Sequence, residues 1–315
     1  MMKIAGIPEV TVRAPGKVNL ELTVGAPDEQ GMHPLATVFQ AVSVYEEVTA
    51  TMARSGSGIT ITVGGRDAKN VPTDSSNIVF QAATKLARAA KLVEPDELPD
   101  VDLHVEKRVP VGGGMAGGSA DAAAALVACN ELWGTRLKQG ALDEIAAELG
   151  ADVTFCMHGG NAVGRGYGEQ LAPVLSSGEY HWLFVFSDIP ISTGAAYREL
   201  DTRERDIPQP LDVRPELMTA LRSGDPIEVG AQLRNDFQEI ALEAQPKIRD
   251  IMTFAEEHLA AGAIVSGSGP TVAILAPSLW HQRELKAALL GADFGVEVVA
   301  ATGPVHGARV VHDMA

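Results

Sequence analysis

The chain has 315 residues, with 25 Lys and Arg against 41 Asp and Glu, and its formal net charge is −16. Hydrophobic residues make up 46% and charged residues 21%, which is typical of a soluble globular protein and argues against intrinsic disorder. The acidic balance also argues against binding of nucleic acid, which needs a basic face. It leaves room for one small phosphorylated ligand in a local pocket.

The length favours two domains, since a single core rarely grows past about 250–300 residues. Cys129 and Cys156 are the only cysteines, so we expect neither a disulfide framework nor a cysteine-based metal site. Two cysteines in a chain of this length fit a reducing compartment. No apolar run is long enough for a signal peptide or a membrane span, so we expect a cytoplasmic location and no membrane partner.

Hydrophobic periodicity predicts both strands and helices in the first half of the chain. Predicted strands cover 10–24 with an interruption at 14–16, a strand pair within 36–52, and single strands at 58–63 and 101–105. Predicted helices cover 77–91, a stretch from the glycine cluster to about 132, and 142–149.

The pattern changes after about residue 172. Strands are predicted at 182–186, 263–265, 272–275 and 295–300, and helices at 215–223, 227–233, 246–261 and 280–290. Because strands and helices mix without strict alternation, the pattern favours an α+β fold over a doubly wound sheet. We place a domain boundary near residue 172, which gives domains of residues 1–172 and 173–315.

A glycine cluster is the most informative stretch, with five glycines in the seven positions from Gly112 to Gly118. Without Cβ atoms, this backbone can adopt positive φ and approach a ligand closely. A helix is predicted to begin here, and its free N–H groups and dipole would face the loop. Both effects favour an anion such as phosphate. Ser119 could cap the helix, bond a phosphate oxygen or contact a metal ion.

Other interpretations of the cluster are weaker. Gly112, Gly114 and Gly117 formally match a dinucleotide-binding pattern, as in an oxidoreductase, but they do not open a chain-initial βαβ unit. The lysine of a Walker loop is missing. A turn without a ligand is disfavoured, because so many glycines cost conformational entropy. Lys107 and Arg108 add local positive charge, although a solvated strand end explains Arg108 equally well.

Four further positions carry polar groups. Lys17, Asn19 and Glu21 share one face of the first strand, and Asp152 follows Gly150. Phosphoryl transfer needs positioning, charge neutralisation and a carboxylate that takes the acceptor proton. The spacing does not show that these groups meet, and by itself it favours Asp152 as the N-cap of a short helical turn.

Two other stretches have structural interpretations of their own. A second glycine-rich stretch at 265–271 joins two apolar runs, so it predicts a tight connection whose small residues could approach the first cluster. His33, which precedes Pro34, is expected to be an exposed loop residue.

Together, residues 14–20, 110–124 and 262–271 resemble the three motifs of the GHMP kinase family, and the resemblance covers essentially the whole chain. It implies a two-domain α+β fold, with a ribosomal-protein-S5-like N-terminal domain, a ferredoxin-like C-terminal domain and an active site in the cleft between them. It also implies ATP and Mg²⁺ as cofactors and a small-molecule substrate.

The resemblance also implies roles for individual residues. Asp152 matches the catalytic carboxylate and Lys17 its charged neighbour. Asn77 and Lys107 match positions near the adenine of ATP. The implied phosphate loop comprises Pro110, Val111, Gly112, Gly113, Gly114, Met115, Ala116, Gly117, Gly118, Ser119 and Ala120. The implied substrate-binding residues are Asn19, His33, Thr193 and Tyr197, of which His33 would read a cytosine edge and Tyr197 would stack on that base.

Residues 112–123, 130–133, 31–33 and 150–153 resemble one branch of the family in particular. Its implied reaction is ATP-dependent phosphorylation of the 2-hydroxyl of 4-diphosphocytidyl-2-C-methyl-D-erythritol, in the non-mevalonate isoprenoid route. Met32 and Glu21 stand where the family usually has aromatic residues, and Thr154 and Gly194 where it has proline. A kinase for another alcohol, of homoserine or mevalonate type, and a nucleotide-binding protein without turnover therefore stay open, as does the choice between monomer and homodimer.

Overall fold

A long antiparallel strand pair forms the centre of the first sheet. The computed structural model of the chain describes residues 8–94, 96–187, 189–292 and 294–311. In it, β1 (Glu9–Val24) pairs with β2 (Leu35–Met52), and their buried Val, Leu and Ala side chains enter the core. The register shifts between Pro15 and Gly16. The predicted interruption is therefore a bulge within one strand, and 36–52 is one strand rather than a pair.

Six more strands complete this sheet of eight. The strand order along the sheet is β12 (Arg309–Val310), β1, β2, β4 (Val101–Lys107) and β3 (Ile59–Gly65). Strand β5 (Asn161–Arg165) pairs with β2 and with β6 (Gln170–Pro173), and β8 (Arg234–Asn235) pairs with β1. Both β8 and β12 come from the second half of the chain. The boundary near residue 172 stays a prediction, and these two strands cross it.

Four helices cover one side of the first sheet: α1 (Ile78–Ala89), α2 (Gly117–Leu132), α3 (Gln139–Leu149) and α4 (Ala151–His158). Helices α2 and α4 pack against its strands, and α1 and α3 pack against these two helices. The predicted helices at 77–91, to 132 and at 142–149 correspond to α1, α2 and α3. Helix α2 is rich in alanine, and its small side chains allow it to contact β1, β2, α1 and α4 at once. This central position fixes the start of α2 relative to β1.

The second sheet has four antiparallel strands in the order β11 (Glu297–Gly303), β7 (Tyr180–Phe186), β10 (Val272–Ala276) and β9 (Gly262–Val265). Its helices are α5 (Thr193–Asp201), α6 (Pro215–Ser223), α7 (Pro226–Gly230), α8 (Gln238–Ala244), α9 (Pro246–Glu257) and α10 (Leu279–Gly291). The four predicted strands are present. Helices α5 and α8 were not predicted.

One apolar core joins the two sheets. Val18 and Val42 of the first sheet belong to the same buried cluster as Trp182, Phe184 and Leu275 of the second. Trp182 is fully buried and its indole N–H donates to Gln40 at 2.7 Å. The two sheets therefore hold a fixed relative position, and the α+β prediction is confirmed. No helix in the described residues is long and apolar enough to cross a membrane.

Candidate active site

Lys17 lies in β1, two residues after the bulge at Pro15, and its side chain is buried. Its Nζ donates to Oδ1 of Asn19 at 2.6 Å and to the carbonyl oxygen of Gly114 at 2.8 Å. Its main-chain N–H donates to the carbonyl of Met115 at 3.1 Å. Strand β1 and the glycine-rich loop are thus joined through this one lysine.

The glycine-rich loop connects β4 to α2. Gly112 and Gly114 have φ of +70° and +77°, and Ala116, the N-cap of α2, also lies in the left-handed region with φ of +60°. No side chain caps α2. Its first N–H groups therefore keep their hydrogen-bonding capacity, and the helix dipole adds partial positive charge at the same point. This end of α2 is suited to bind an anion.

The second glycine-rich stretch packs against the first. A Cβ on Gly114 would lie 1.9 Å from the carbonyl oxygen of Ser266, so only glycine fits there. The Ser266 hydroxyl donates to the Gly114 carbonyl at 3.0 Å. From β8, the side-chain amide of Asn235 donates to the carbonyls of Val265 and Gly267, both at 2.7 Å. The two glycine-rich stretches therefore lie in contact, as the small residues of the second stretch allowed.

A cavity of about 470 Å³ lies where these elements meet. Lys17, Asn19 and Asp152 line it from the first half of the chain, and Thr193 and Tyr197 line it from the second. Among the residues of the predicted phosphate loop, those that line it are Pro110, Val111, Gly112, Gly113, Gly114, Ala116, Gly117 and Gly118. Met115 is instead fully buried in the core shared by the two sheets, and Ser119 and Ala120 do not line the cavity.

Asp152 is the second residue of α4, and Gly150 is the N-cap. The prediction that Asp152 caps a helical turn is therefore wrong, because the helix starts two residues earlier than the spacing suggested. Its Oδ2 lies 4.0 Å from Nζ of Lys17, and about a third of its side chain is exposed toward solvent, at 32%. Burial lowers the pKa of Lys17, and the carboxylate of Asp152 opposes that shift.

Asn77 and Lys107, the residues predicted at the adenine end, both line the cavity. Asn77 is the N-cap of α1 and its Oδ1 accepts from the N–H of Val79 at 2.8 Å. The ammonium of Lys107 is buried between two carboxylates, at 2.6 Å from Glu46 and 2.5 Å from Asp121. Lys107 therefore fills a structural ion-pair cluster as well as facing the cavity.

Burial is the largest single influence on the pKa of each group in this cluster. It raises the pKa of Glu46, and it raises the pKa of Asp121 to about 7 although Lys107 opposes the change. For Lys107 itself, burial lowers the pKa, but the two carboxylates outweigh it and the net shift is upward. Arg108, in contrast, is exposed and makes a two-pronged ion pair with Glu47 at 3.0 Å, outside the cavity.

A second cavity, of about 370 Å³, shares Leu35 and Tyr197 with the first. The side chain of His33 lines it with only 7% exposed, so the expectation of an exposed loop histidine is wrong. Nε2 of His33 lies 2.8 Å from Oδ1 of Asp201, and its ring centre lies 4.8 Å from that of Tyr197. Packing against α5, which was not predicted, accounts for this burial.

The sequence departures fall in different environments. Met32 and Gly194 line the second cavity, whereas Glu21 lines neither of these two cavities. Glu21 is almost fully buried and accepts from the N–H of Arg214 at 3.2 Å, with the guanidinium 3.3 Å away. Burial raises the pKa of Glu21, against the opposing charge of Arg214.

Several lining residues were missed. Ser268 could have been found, because it lies in the second glycine-rich stretch; its hydroxyl is 2.9 Å from that of Thr193. Phe39, Phe237 and Tyr167 carried no signal, since isolated aromatic residues are usual in strands, helices and turns alike. Tyr167 lines the second cavity from the turn between β5 and β6.

These features agree with what the comparisons find. The family model "GHMP kinases N terminal domain" matches residues 77–160, and "GHMP kinases C terminal" matches residues 217–294. The chain belongs to the GHMP kinase family.

Curated relatives with a more specific name match nearly the whole chain. A Rhodococcus jostii protein named 4-diphosphocytidyl-2-C-methyl-D-erythritol kinase is 46% identical and the match covers 97% of this chain and 96% of its own. A protein of the same name from Leifsonia xyli subsp. xyli is 45% identical and the match covers 96% and 99%.

Solved structures agree on the fold. A crystal structure of 4-(cytidine 5'-diphospho)-2C-methyl-D-erythritol kinase has a TM-score of 0.71 at 27% identity and covers 95% of this chain and 100% of its own. A homoserine kinase from Cytophaga hutchinsonii has a TM-score of 0.73 at 18% identity, covering 99% of each chain. At that identity the second similarity shows the fold alone.

Proposed function

We propose that the chain transfers the γ-phosphoryl group of ATP to the 2-hydroxyl of 4-diphosphocytidyl-2-C-methyl-D-erythritol, as part of isoprenoid precursor synthesis by the non-mevalonate route. The observation that carries the proposal is the convergence of Lys17, Asp152 and the uncapped start of α2 on one cavity. The names of the relatives at 45% and 46% identity support the choice of acceptor.

In the proposed reaction, Asp152 accepts the proton of the acceptor hydroxyl as its oxygen forms a bond to the γ-phosphorus. The bond from the γ-phosphorus to the β,γ-bridging oxygen breaks, and ADP leaves with that electron pair. The phosphate chain lies along the glycine-rich loop, with the start of α2 facing its negative charge. Lys17, 4.0 Å from Asp152, offsets charge that develops at the phosphoryl group.

Mg²⁺ belongs to the proposal, and it would neutralise charge on the β- and γ-phosphates. Magnesium in nucleotide sites is held by one or two protein groups, with phosphate and water oxygens as the other ligands. In the described residues, no three or more His, Cys, Asp or Glu side chains group around a metal position, which fits such a site. Asp121 is one suitable ligand, because it lines the cavity and its buried Oδ1 has no hydrogen-bond partner. Ser119 remains a second candidate.

On the acceptor side, we place Asn19 and Thr193 near the sugar alcohol, since both line the main cavity beside Lys17 and Ser268. The cytosine belongs in the second cavity, with His33 at its polar edge and Tyr197 on one face. Asn77 and Lys107 are assigned to the adenine end of ATP. The acidic composition and the two cysteines support a cytoplasmic enzyme without nucleic-acid partners. The proposal includes both a monomer and a homodimer.

The Asp152→Asn variant tests the proposal. Without the carboxylate, kcat for ADP release with the cytidine-containing acceptor should fall about 100- to 10,000-fold, while KM for ATP changes little. Asp143→Asn is the matched control, because Asp143 pairs with the exposed His158 and lines neither cavity. Unchanged kcat in Asp152→Asn would rule out the proposed base.

A second candidate is a kinase for a simpler alcohol. It is favoured by Met32, which lines the second cavity with a side chain that has no ring to stack on a base. Wild-type ADP release measured on the cytidine-containing acceptor, homoserine and mevalonate separates the two. Turnover of only an acceptor that lacks cytidine would favour the second candidate.

A further inference from the structure

Tyr167 occupies an unusual place beside the second cavity. It lies in the turn between β5 and β6, flanked by Gly166 with φ of +69° and Gly168 with φ of +104°, and 44% of the residue is exposed. Large aromatic side chains on a turn tip gain little from partial burial. Because the ring stands at the edge of the second cavity, a ligand bound there would contact it.

The tyrosine is also held in position. Its hydroxyl donates to Oδ2 of Asp28, and the other carboxylate oxygen of Asp28 accepts from the N–H groups of Gln30 at 2.8 Å and Met32 at 2.9 Å. The main-chain N–H of Asp28 donates to the carbonyl of Met32 at 2.8 Å. Asp28 thus closes the turn that carries Met32 and fastens Tyr167 to it.

The opposite part of the cavity consists of packed aromatic rings. Tyr197 packs edge-on against Phe237, with ring centres 4.8 Å apart, and it contacts His33 at the same distance. Met32, at the lip, is 51% exposed and offers no ring. The aromatic rings that line this cavity are therefore those of Tyr197, His33 and Tyr167.

We propose that Tyr167 is a substrate-binding residue of the acceptor site that provides an aromatic face for the nucleobase, and that Asp28 is its positioning residue. This inference rests on the proposed function, which places a cytosine in this cavity. Stacking on a phenol ring does not depend on the hydrogen-bonding groups at the edge of the base, so Tyr167 would contribute affinity for any base. Selection of cytosine over other bases would come from the polar side chains around His33.

Binding of cytidine 5′-diphosphate, measured by calorimetry with a non-hydrolysable ATP analogue filling the phosphate loop, tests this directly. Tyr167→Ala should weaken binding about tenfold, the usual scale for loss of one stacked ring, and Tyr167→Phe should weaken it less. The matched control is Trp280→Ala, since Trp280 is an exposed aromatic residue that lines neither cavity.

Steady-state kinetics give the second readout. KM for the cytidine-containing acceptor should rise about tenfold in Tyr167→Ala, with kcat and KM for ATP unchanged, as expected for loss of uniform binding. Adding Met32→Tyr to Tyr167→Ala should restore part of the affinity, because it places a ring on the neighbouring turn, which lines the same cavity. A structural defect would not be rescued in this way.

The outcomes separate this inference from the proposed function. If the wild type turns over the acceptor and Tyr167→Ala keeps its KM and its affinity for cytidine 5′-diphosphate, only the role of Tyr167 is overturned. If the wild type binds cytidine 5′-diphosphate through Tyr167 without turning over the acceptor, the proposed function fails and the role of Tyr167 stands. No binding to the wild type overturns the role of Tyr167.

Discussion

Two buried lysines face the same cavity with different partners. Nζ of Lys17 donates to two uncharged oxygens and has one carboxylate at 4.0 Å, whereas Nζ of Lys107 contacts two carboxylates within 2.6 Å. Burial gives Lys17 a lowered pKa, whereas the two carboxylates give Lys107 a raised pKa. The charge of Lys17 is therefore less compensated by the protein, and this suits it to a phosphoryl group; the charge of Lys107 is already neutralised.

Replacing Lys107 should show how much the fold depends on this cluster. Lys107→Met leaves Glu46 and Asp121 buried without a cation, which should cost about 3–5 kcal/mol of unfolding free energy at about pH 8. Urea unfolding measures the loss. Lys85→Met is the control, because the ion pair of Lys85 with Glu148 is exposed and its removal should change stability by less than about 1 kcal/mol.

The same cluster predicts a pH dependence. The folded pKa of Asp121, raised by burial to about 7, lies above its unfolded value, so its contribution to stability is lost as pH rises through about 7. Without Lys107, both carboxyl groups take up protons more readily. The loss in Lys107→Met should therefore be smaller at about pH 5.5 than at about pH 8. Equal losses at both values would contradict the assignment of these groups as the source of the effect.

At the scale of elements, the sequence predicts best where one periodicity persists. Strand β3 and helix α6 were found because their patterns agree with what they bury. Helix α5 was missed because it buries only Ala196 and Leu200, too few to form a stripe. The site shows the same limit: glycine composition identified a loop that lines the main cavity, but the burial of His33 depends on α5, and the position of Asp152 depends on where α4 begins.

The backbone angles before α2 predict opposite effects of substitution on stability at Gly114 and Ala116, which both have positive φ. Gly114→Ala places a Cβ 1.9 Å from a main-chain oxygen at positive φ, and should cost at least about 2 kcal/mol and lower kcat/KM for ATP. Ala116→Gly relieves a left-handed alanine and should stabilise by about 1 kcal/mol. Thermal unfolding and ADP release check both changes.

Gly140→Ala supplies the control for these two variants. Gly140 lies in α3, and an added Cβ would meet nothing within 4 Å, so the substitution should stabilise by about 0.4–1 kcal/mol without changing activity. A neutral result for Gly114→Ala would mean that the two glycine-rich stretches can separate without loss.

Across the whole molecule, the end of the chain closes the first sheet and supports the candidate base. The N–H groups of Gly307 and Ala308 donate to the carbonyls of His158 and Cys156, at 3.2 and 2.9 Å, and β12 then pairs with β1. Both acceptors belong to α4, the helix that carries Asp152. Residues from the second half of the chain therefore complete the sheet and support the helix of the first half, so we expect that the two sheets do not fold as independent units.

This arrangement predicts that damage at Gly307 reaches the active site. A Cβ there would lie 2.1 Å from the carbonyl oxygen of Met157, so Gly307→Ala should displace α4, lower the unfolding free energy by about 2 kcal/mol and reduce kcat more than KM for ATP. Removing residues 304–315 should have a larger effect in the same direction. Gly291→Ala at the end of α10, where an added Cβ has open space, should not lower the unfolding free energy and should leave kcat unchanged. An oxygen only 2.1 Å away leaves no room for the methyl group unless the two segments move apart. If Gly307→Ala kept full stability and full kcat, α4 would therefore not depend on its contact with residues 307–308.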